Sequence, residues 1–193
     1  MSNIIESCLN DVVSCLSNLN HEQYIQPSLD CIAMTAETLK NGGAIFFCGN
    51  GGSASTASHL ANDLSCHMKN WNREGYKCIC INDSTSIITS LTNDYGFECI
   101  FSRQVENLGK AGDIIWAFST SGNSKNVVRA VESAKKMGIK TVAFTGRGGG
   151  KLKDLCDLWV PCNSDEVTRV EELHMIYGHS IALGVEAVVS PME

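Results

Sequence analysis

The sequence predicts a doubly wound α/β fold, a five-stranded parallel sheet flanked by helices, with extra N-terminal helices in front of it. Three observations carry that expectation. Short apolar runs recur at 44–48, 77–81, 113–118, 140–144 and 157–160, as strands buried on both faces do. Helical patterns separate them. Two of the strands also end in loops of small and hydroxyl residues, Gly49-Asn50-Gly51-Gly52-Ser53 and Ser119-Thr120-Ser121-Gly122-Asn123-Ser124, each leading into a helix.

The elements follow in order. Helices are expected at 2–18 and 27–41. The first is amphipathic, with Ile5, Cys8, Leu9, Val12 and Leu16 on one stripe, so it reads neither as a signal peptide nor as a membrane span. Pro27 opens the second, where a missing N–H costs nothing. Both exceed what a minimal sandwich needs, and the segment 1–42 is expected to pack between subunits. Helical stretches at 53–69, 84–91, 97–108, 123–137 and 151–156 then alternate with the strands. Gly138 ends the 123–137 helix as a left-handed cap. A final helix is expected over 168–188. A chain of 193 residues suits one domain, 1–193, with a core that needs no staples.

The net charge of −6 offers no basic surface for nucleic acid or a membrane. With no export signal, a cytoplasmic place is expected. The ten cysteines then read as reduced, small apolar residues, and no CxxC occurs. Cys78 and Cys80 share one strand face, which leaves a ligand pair there as a minor alternative.

Both loops lie where strand C-termini meet helix N-termini, whose free N–H groups and partial positive charge suit an anion. The first loop has the spacing of neither a dinucleotide fingerprint nor a Walker loop, and it also reads as a tight turn with Ser53 as N-cap. The second carries four hydroxyls in six residues, more than one cap requires, and reads as an anion cradle. Neither loop contains Lys or Arg. A glycine-rich stretch, Thr145 to Lys151, reads as a flexible connector.

His59 and Asp63 stand one helical turn apart, spaced either for a shared divalent metal or for a plain surface hydrogen bond. The last helix bears Glu171, Glu172, His174 and His179. Thr168-Arg169-Val170-Glu171 fits a capping box. Glu172 shares a face with His179 better than Glu171 does, and spacing alone does not choose the carboxylate. Such groups suit a zinc-like site or proton abstraction beside a carbonyl. Asn93-Asp94-Tyr95-Gly96 reads as an Asx turn or as a polar contact for sugar hydroxyls.

The stretches CGNGGSASTASHLANDL, TNDYGFECIFSRQVENLGKAGD, FSTSGNSKNVVRAVESAKKMGIKTVAFTG and RVEELHMIYGH together resemble the sugar isomerase (SIS) domain, and within it the phosphoheptose isomerases. The resemblance implies isomerisation of sedoheptulose 7-phosphate to D-glycero-D-manno-heptose 7-phosphate through an enediol, in heptose biosynthesis. It implies a homotetramer with shared active sites. It maps substrate contacts onto Asn50, Gly51, Gly52, Ser53, Asp63, Asn93, Asp94, Ser119, Thr120, Ser121, Ser124 and Glu171. It maps a divalent metal, zinc by this chemistry, onto His59, Asp63, Glu171 and His179, and it favours Glu171 over Glu172. Asp63 and His179 are the expected acid–base pair. The chain departs from the family pattern at Asp63 (usually Glu), Glu171 (usually Gln), His67 (usually Arg) and Thr168 (usually Asp), which leaves another phosphosugar as an alternative substrate. A non-catalytic SIS relative that binds a replication initiator is the other alternative, and the retained ligand set argues against it.

Overall fold

The structure, a computed structural model, describes residues 2–192. Five parallel strands form the sheet: β1 (Ile45–Cys48), β2 (Cys78–Cys80), β3 (Ile114–Phe118), β4 (Lys140–Thr145) and β5 (Leu158–Pro161). Every residue of β1 and β3 is buried, which is why both read as unbroken apolar runs. Successive side chains still face opposite layers. Phe47, Trp116, Phe118 and Phe144 enter one core, while Phe46, Ile115, Ala117 and Ala143 enter the other.

Helices α2 (Gln26–Lys40), α3 (Gly52–Ser65) and α8 (Val167–Val189) cover the first face. Helices α5 (Ser102–Leu108), α6 (Lys125–Lys136) and α7 (Gly150–Leu155) cover the second. Helix α4 (Thr85–Tyr95) touches that second layer through Ile88 and Leu91 and has no buried residue of its own. Helix α1 (Ser2–Ser17) reaches the first core through Cys15 and Leu16 and leaves Ile4, Ile5, Leu9 and Val13 exposed. A π-helical turn, His21–Ile25, joins α1 to α2. The expected fold class is therefore the one observed.

The strand order is β2-β1-β3-β4-β5. It reverses between β1 and β3, and in open parallel sheets the crevice outside the strand C-termini at that point takes the ligand. The two hydroxyl-rich loops leave β1 and β3, so they flank this crevice.

Several expected boundaries move, each for a local reason. The 84–91 helix runs on through Asn93 and Asp94 to Tyr95 and stops at Gly96, at φ 87°, so no Asx turn forms there. The cap of α8 is Glu166, whose carboxylate accepts the N–H groups of Thr168 (3.2 Å) and Arg169 (2.8 Å). A carboxylate suits the positive end of a helix, and the expected Thr168–Glu171 capping box does not form. The 53–69 helix closes at Ser65, because Glu186 of α8 captures the backbone that follows.

Buried Glu186 accepts N–H groups from Met68 (2.8 Å), Lys69 (2.7 Å) and Asn70 (3.1 Å) and the Nε of Arg73 (2.7 Å). Burial by itself raises this carboxyl's pKa, but the four donors outweigh it and hold the group at about 2, against an ordinary 4.5. A depressed carboxyl contributes stability above its unfolded pKa and loses it as pH falls through the folded one. The contribution is about 3 kcal/mol, fading between pH ~4.5 and ~2. Denaturant unfolding measured from about pH 6 down to about pH 2.5 is expected to show this loss, and Glu186→Gln is expected to remove that part of the pH dependence.

Candidate active site

The second loop, 119–124, leaves β3 as a tight turn closed by Gly122 N–H donating to Ser119 O (3.0 Å). Ser119 and Ser124 place their Oγ atoms 3.0 Å apart, and Ser121 Oγ accepts Asn123 N–H (3.2 Å). Ser124 stands at the N-cap of α6 yet makes no side-chain capping bond. Its hydroxyl faces that of Ser119, and the first two N–H groups of α6, at Lys125 and Asn126, are left for an anion. The stretch from Thr145 to Lys151 is a brace and not a free connector. Gly146 N–H donates to Thr120 O (2.9 Å), Lys151 N–H to Asn123 Oδ1 (3.1 Å) and Leu152 N–H to Gly122 O (3.1 Å).

The first loop turns at Gly51, the N-cap of α3 with φ 55°. Ser53 is the second residue of the helix and is buried, so it is not the expected cap. The Asn50 amide pairs with that of Asn126 through two reciprocal hydrogen bonds of 2.8 Å. Asn126 is buried at the head of α6 and also accepts Val127 N–H (3.0 Å). This pair ties the two loops together across the β1/β3 crevice, and it leaves Asn50 its backbone to offer a ligand. Asn82 fastens the other side, accepting from Gly49 N–H (3.1 Å) and donating to Gly49 O (2.6 Å). Neither Asn126 nor Asn82 was singled out from the sequence. The available signal was a polar residue heading the apolar stripe Val127, Ala130, Val131 and Ala134.

His59 and Asp63 on α3 meet His179 from α8. The two Nε2 atoms are 2.9 Å apart, and each lies 3.3 Å from Asp63 Oδ2. The side chains are 47%, 17% and 39% exposed respectively, so the triad is open to solvent. The triad fits a divalent metal. Two ligands about 2.05 Å from a tetrahedral ion stand ~3.3 Å apart, and two imidazoles with a carboxylate suit zinc. Among the described residues this is the group of three or more His, Cys, Asp or Glu whose ligand atoms converge. Asp63, a methylene shorter than Glu, reaches both imidazoles because α3 and α8 lie close. Gly178 makes that possible, since a Cβ there would strike the Leu60 side chain.

Glu171 lies outside the triad. Its carboxylate rests over Gly52, so close that any Cβ on Gly52 would collide with it. Glu172 turns away to Arg169 (2.6 Å), which removes it from the site despite its more favourable spacing from His179. Asn93 and Asp94 sit exposed on α4, in the opposite layer, where Asn93 Nδ2 donates to Asp94 Oδ1 (2.8 Å). His67 packs against Trp71, with the ring centroids 3.8 Å apart and the planes tilted by 43°. His174 is fully buried edge-on against Phe118, and desolvation pushes its pKa down to about 4, so it stays neutral. Cys78 and Cys80 are thiols that burial pushes up to about 12, which makes a thiolate ligand pair unfavourable. None of the ten cysteines forms a disulfide.

Sequence and structure comparisons agree on one kinship. The SIS domain profile matches residues 9–146. The phosphoheptose isomerase of Akkermansia muciniphila is 45% identical over 150 residues, covering 78% of this chain and 79% of that one. A Helicobacter pylori phosphoheptose isomerase is 42% identical over 176 residues, covering 87% and 91%. Among solved structures, the phosphoheptose isomerase of Neisseria gonorrhoeae superposes with a TM-score of 0.89 at 30% identity, covering 96% of this chain and 98% of that one.

Two outcomes test this geometry. Asn126→Ala removes both inter-loop bonds, so the unfolding free energy should drop by about 1–3 kcal/mol and the binding of inorganic phosphate should weaken several-fold in calorimetry. Gly178→Ala should force Leu60 aside and lower the melting temperature by several degrees, an overpacking cost of ~1–3 kcal/mol, although Ala is the better helix former.

Proposed function

The chain belongs to the SIS domain family, in its phosphoheptose isomerase branch, and from that premise we propose that it converts sedoheptulose 7-phosphate to D-glycero-D-manno-heptose 7-phosphate for heptose biosynthesis. One observation carries the reading down to residues. The loop that opens the helix bearing His59 and Asp63 is tied by Asn50 and Asn126 to the hydroxyl-rich loop. A phosphate held by one would present its sugar to the other.

In this mechanism Ser119, Thr120, Ser121 and Ser124 hold the phosphate with the N–H groups at the start of α6. Backbone at Asn50, Gly51, Gly52 and Ser53 lines the sugar, and Glu171, poised over Gly52, accepts from its hydroxyls. Asp63 and His179 move the protons. A base takes a C1 proton from the ketose while the C2 carbonyl oxygen receives one, leaving a C1–C2 enediol. A proton passes to C2 as O1 gives up its own, so the carbonyl moves from C2 to C1 and no atom is lost. His59, Asp63 and His179, with Glu171 as a fourth, would hold zinc, which when bound polarises the sugar oxygens and eases enolisation. A side chain engaged on a metal is not free as a base, so the two roles of Asp63 and His179 compete.

Homotetrameric assembly is part of the proposal. The exposed stripe Ile4, Ile5, Leu9 and Val13 on α1 needs a partner, and Asn93 and Asp94 serve a site formed with another subunit. The cytoplasm is the expected place of action. No helix among the described residues is long and apolar enough to cross a membrane. A second reading, isomerisation of a different phosphosugar, is favoured by His67, which packs against Trp71 at a position where the resemblance implies Arg.

Sedoheptulose 7-phosphate incubated with the protein in D2O is expected to yield aldose with deuterium at C2, read by NMR. His179→Ala should cut kcat by ~100-fold or more, the usual worth of a positioned acid–base group. Ser121→Ala should act mainly on KM. Chelation should lower the rate and zinc restore it. Absence of turnover and of bound metal, with a protein partner recovered instead, would favour the non-catalytic alternative.

A further inference from the structure

We propose that Arg73 and Glu186 are positioning residues that hold Asp63 on α3 in register with His179 on α8. The inference rests on the isomerase reading of the triad. Both side chains are almost inaccessible, 1% and 4% exposed. The guanidinium works in three directions. Its Nε donates to Glu186 Oε1 (2.7 Å), and its Nη2 donates to the carbonyls of Asp63 (3.3 Å) and Leu64 (3.1 Å). Its Nη1 donates to Glu74 O (2.9 Å). Its flat face lies 4.0 Å above the Tyr76 ring, whose hydroxyl reaches Ser190 just past the end of α8 (3.0 Å).

The Asp63 and Leu64 carbonyls belong to the last turn of α3, where the helical ladder runs out of its own donors. Glu186 stands seven residues past His179, two helical turns on, and so near the same face of α8. One side chain therefore grips the backbone of a triad residue on one helix and the triad-bearing face of the other. Gly178 sets how near the two helices come, and the Arg73–Glu186 pair sets how far one can slide along the other. A lysine offers no planar fork and cannot serve both directions at once. A buried ion pair is seldom the most stabilising filling for its space, and a registry role is the best-attested reason for keeping one.

The test compares wild type with Arg73→Lys, which keeps the charge and loses the fork, and with Glu186→Gln, which keeps an acceptor for the loop. Three quantities are read: zinc affinity by chelator competition on metal-free protein, kcat and KM on sedoheptulose 7-phosphate, and inorganic phosphate affinity. The expected result for Arg73→Lys is zinc affinity and kcat each lower by about tenfold or more, as for other residues that orient metal ligands, with phosphate affinity unchanged. Glu186→Gln should move the same two quantities in the same direction. A folded Arg73→Lys protein with wild-type zinc affinity and wild-type kcat, altered only in melting temperature, overturns the proposal. Wild type that neither binds zinc nor turns over the sugar defeats the isomerase reading itself, and this inference with it.

Discussion

The proposed chemistry of this chain depends on how closely α3 and α8 pack. The two helices are far apart in sequence, and both lie on the same face of the sheet. His59 and Asp63 come from one and His179 from the other, so no local feature brings them together. Leu60 of α3 and Gly178 of α8 are sequence neighbours of His59 and His179, and their contact is what lets a short Asp63 side chain span to both imidazoles. A residue of any size at 178 would impose its thickness on the triad. Mid-helix glycine carries a conformational cost of ~1 kcal/mol, and here the structure shows what offsets it.

The second requirement is electrostatic. The chain is acidic overall, and the two ligand loops contain no Lys or Arg, yet the crevice they flank suits a dianion. Backbone N–H groups, helix N-termini and hydroxyls supply the positive potential instead. Donors of this kind require accurate placement, because a few tenths of an ångström decide a hydrogen bond. That explains the density of fastening around the loops: the Asn50–Asn126 amide pair on one side, Asn82 on another, and the 145–151 stretch behind.

Much of this was legible in the sequence, for physical reasons that also mark where legibility stopped. Strands buried on both faces announce themselves as apolar runs, so all five strands and the doubly wound class could be read. Helix ends were read less well. Glu166 caps α8 in place of Thr168 because its carboxylate reaches two first-turn N–H groups at once, which spacing does not reveal. The triad was readable as residue types at plausible spacing, but the choice between Glu171 and Glu172 was not. Arg169 draws Glu172 away, and that contact depends on a side-chain direction that periodicity does not encode. Asn126, Arg73 and Glu186 carry no local signature, because each acts through long-range partners, 76 residues apart for the amide pair and 113 for the ion pair.

The brace behind the phosphate-type loop has a thermodynamic consequence. Three backbone or amide bonds from 146–152 already fix the 119–124 turn in the free protein. A ligand arriving there finds little conformational entropy left to remove, so its binding free energy is not diminished by ordering the loop. The anion end of the site then acts as a fixed anchor of nearly constant affinity. Under the isomerase reading, discrimination among phosphorylated sugars falls to the other end of the site, where the Glu171 carboxylate lies over Gly52.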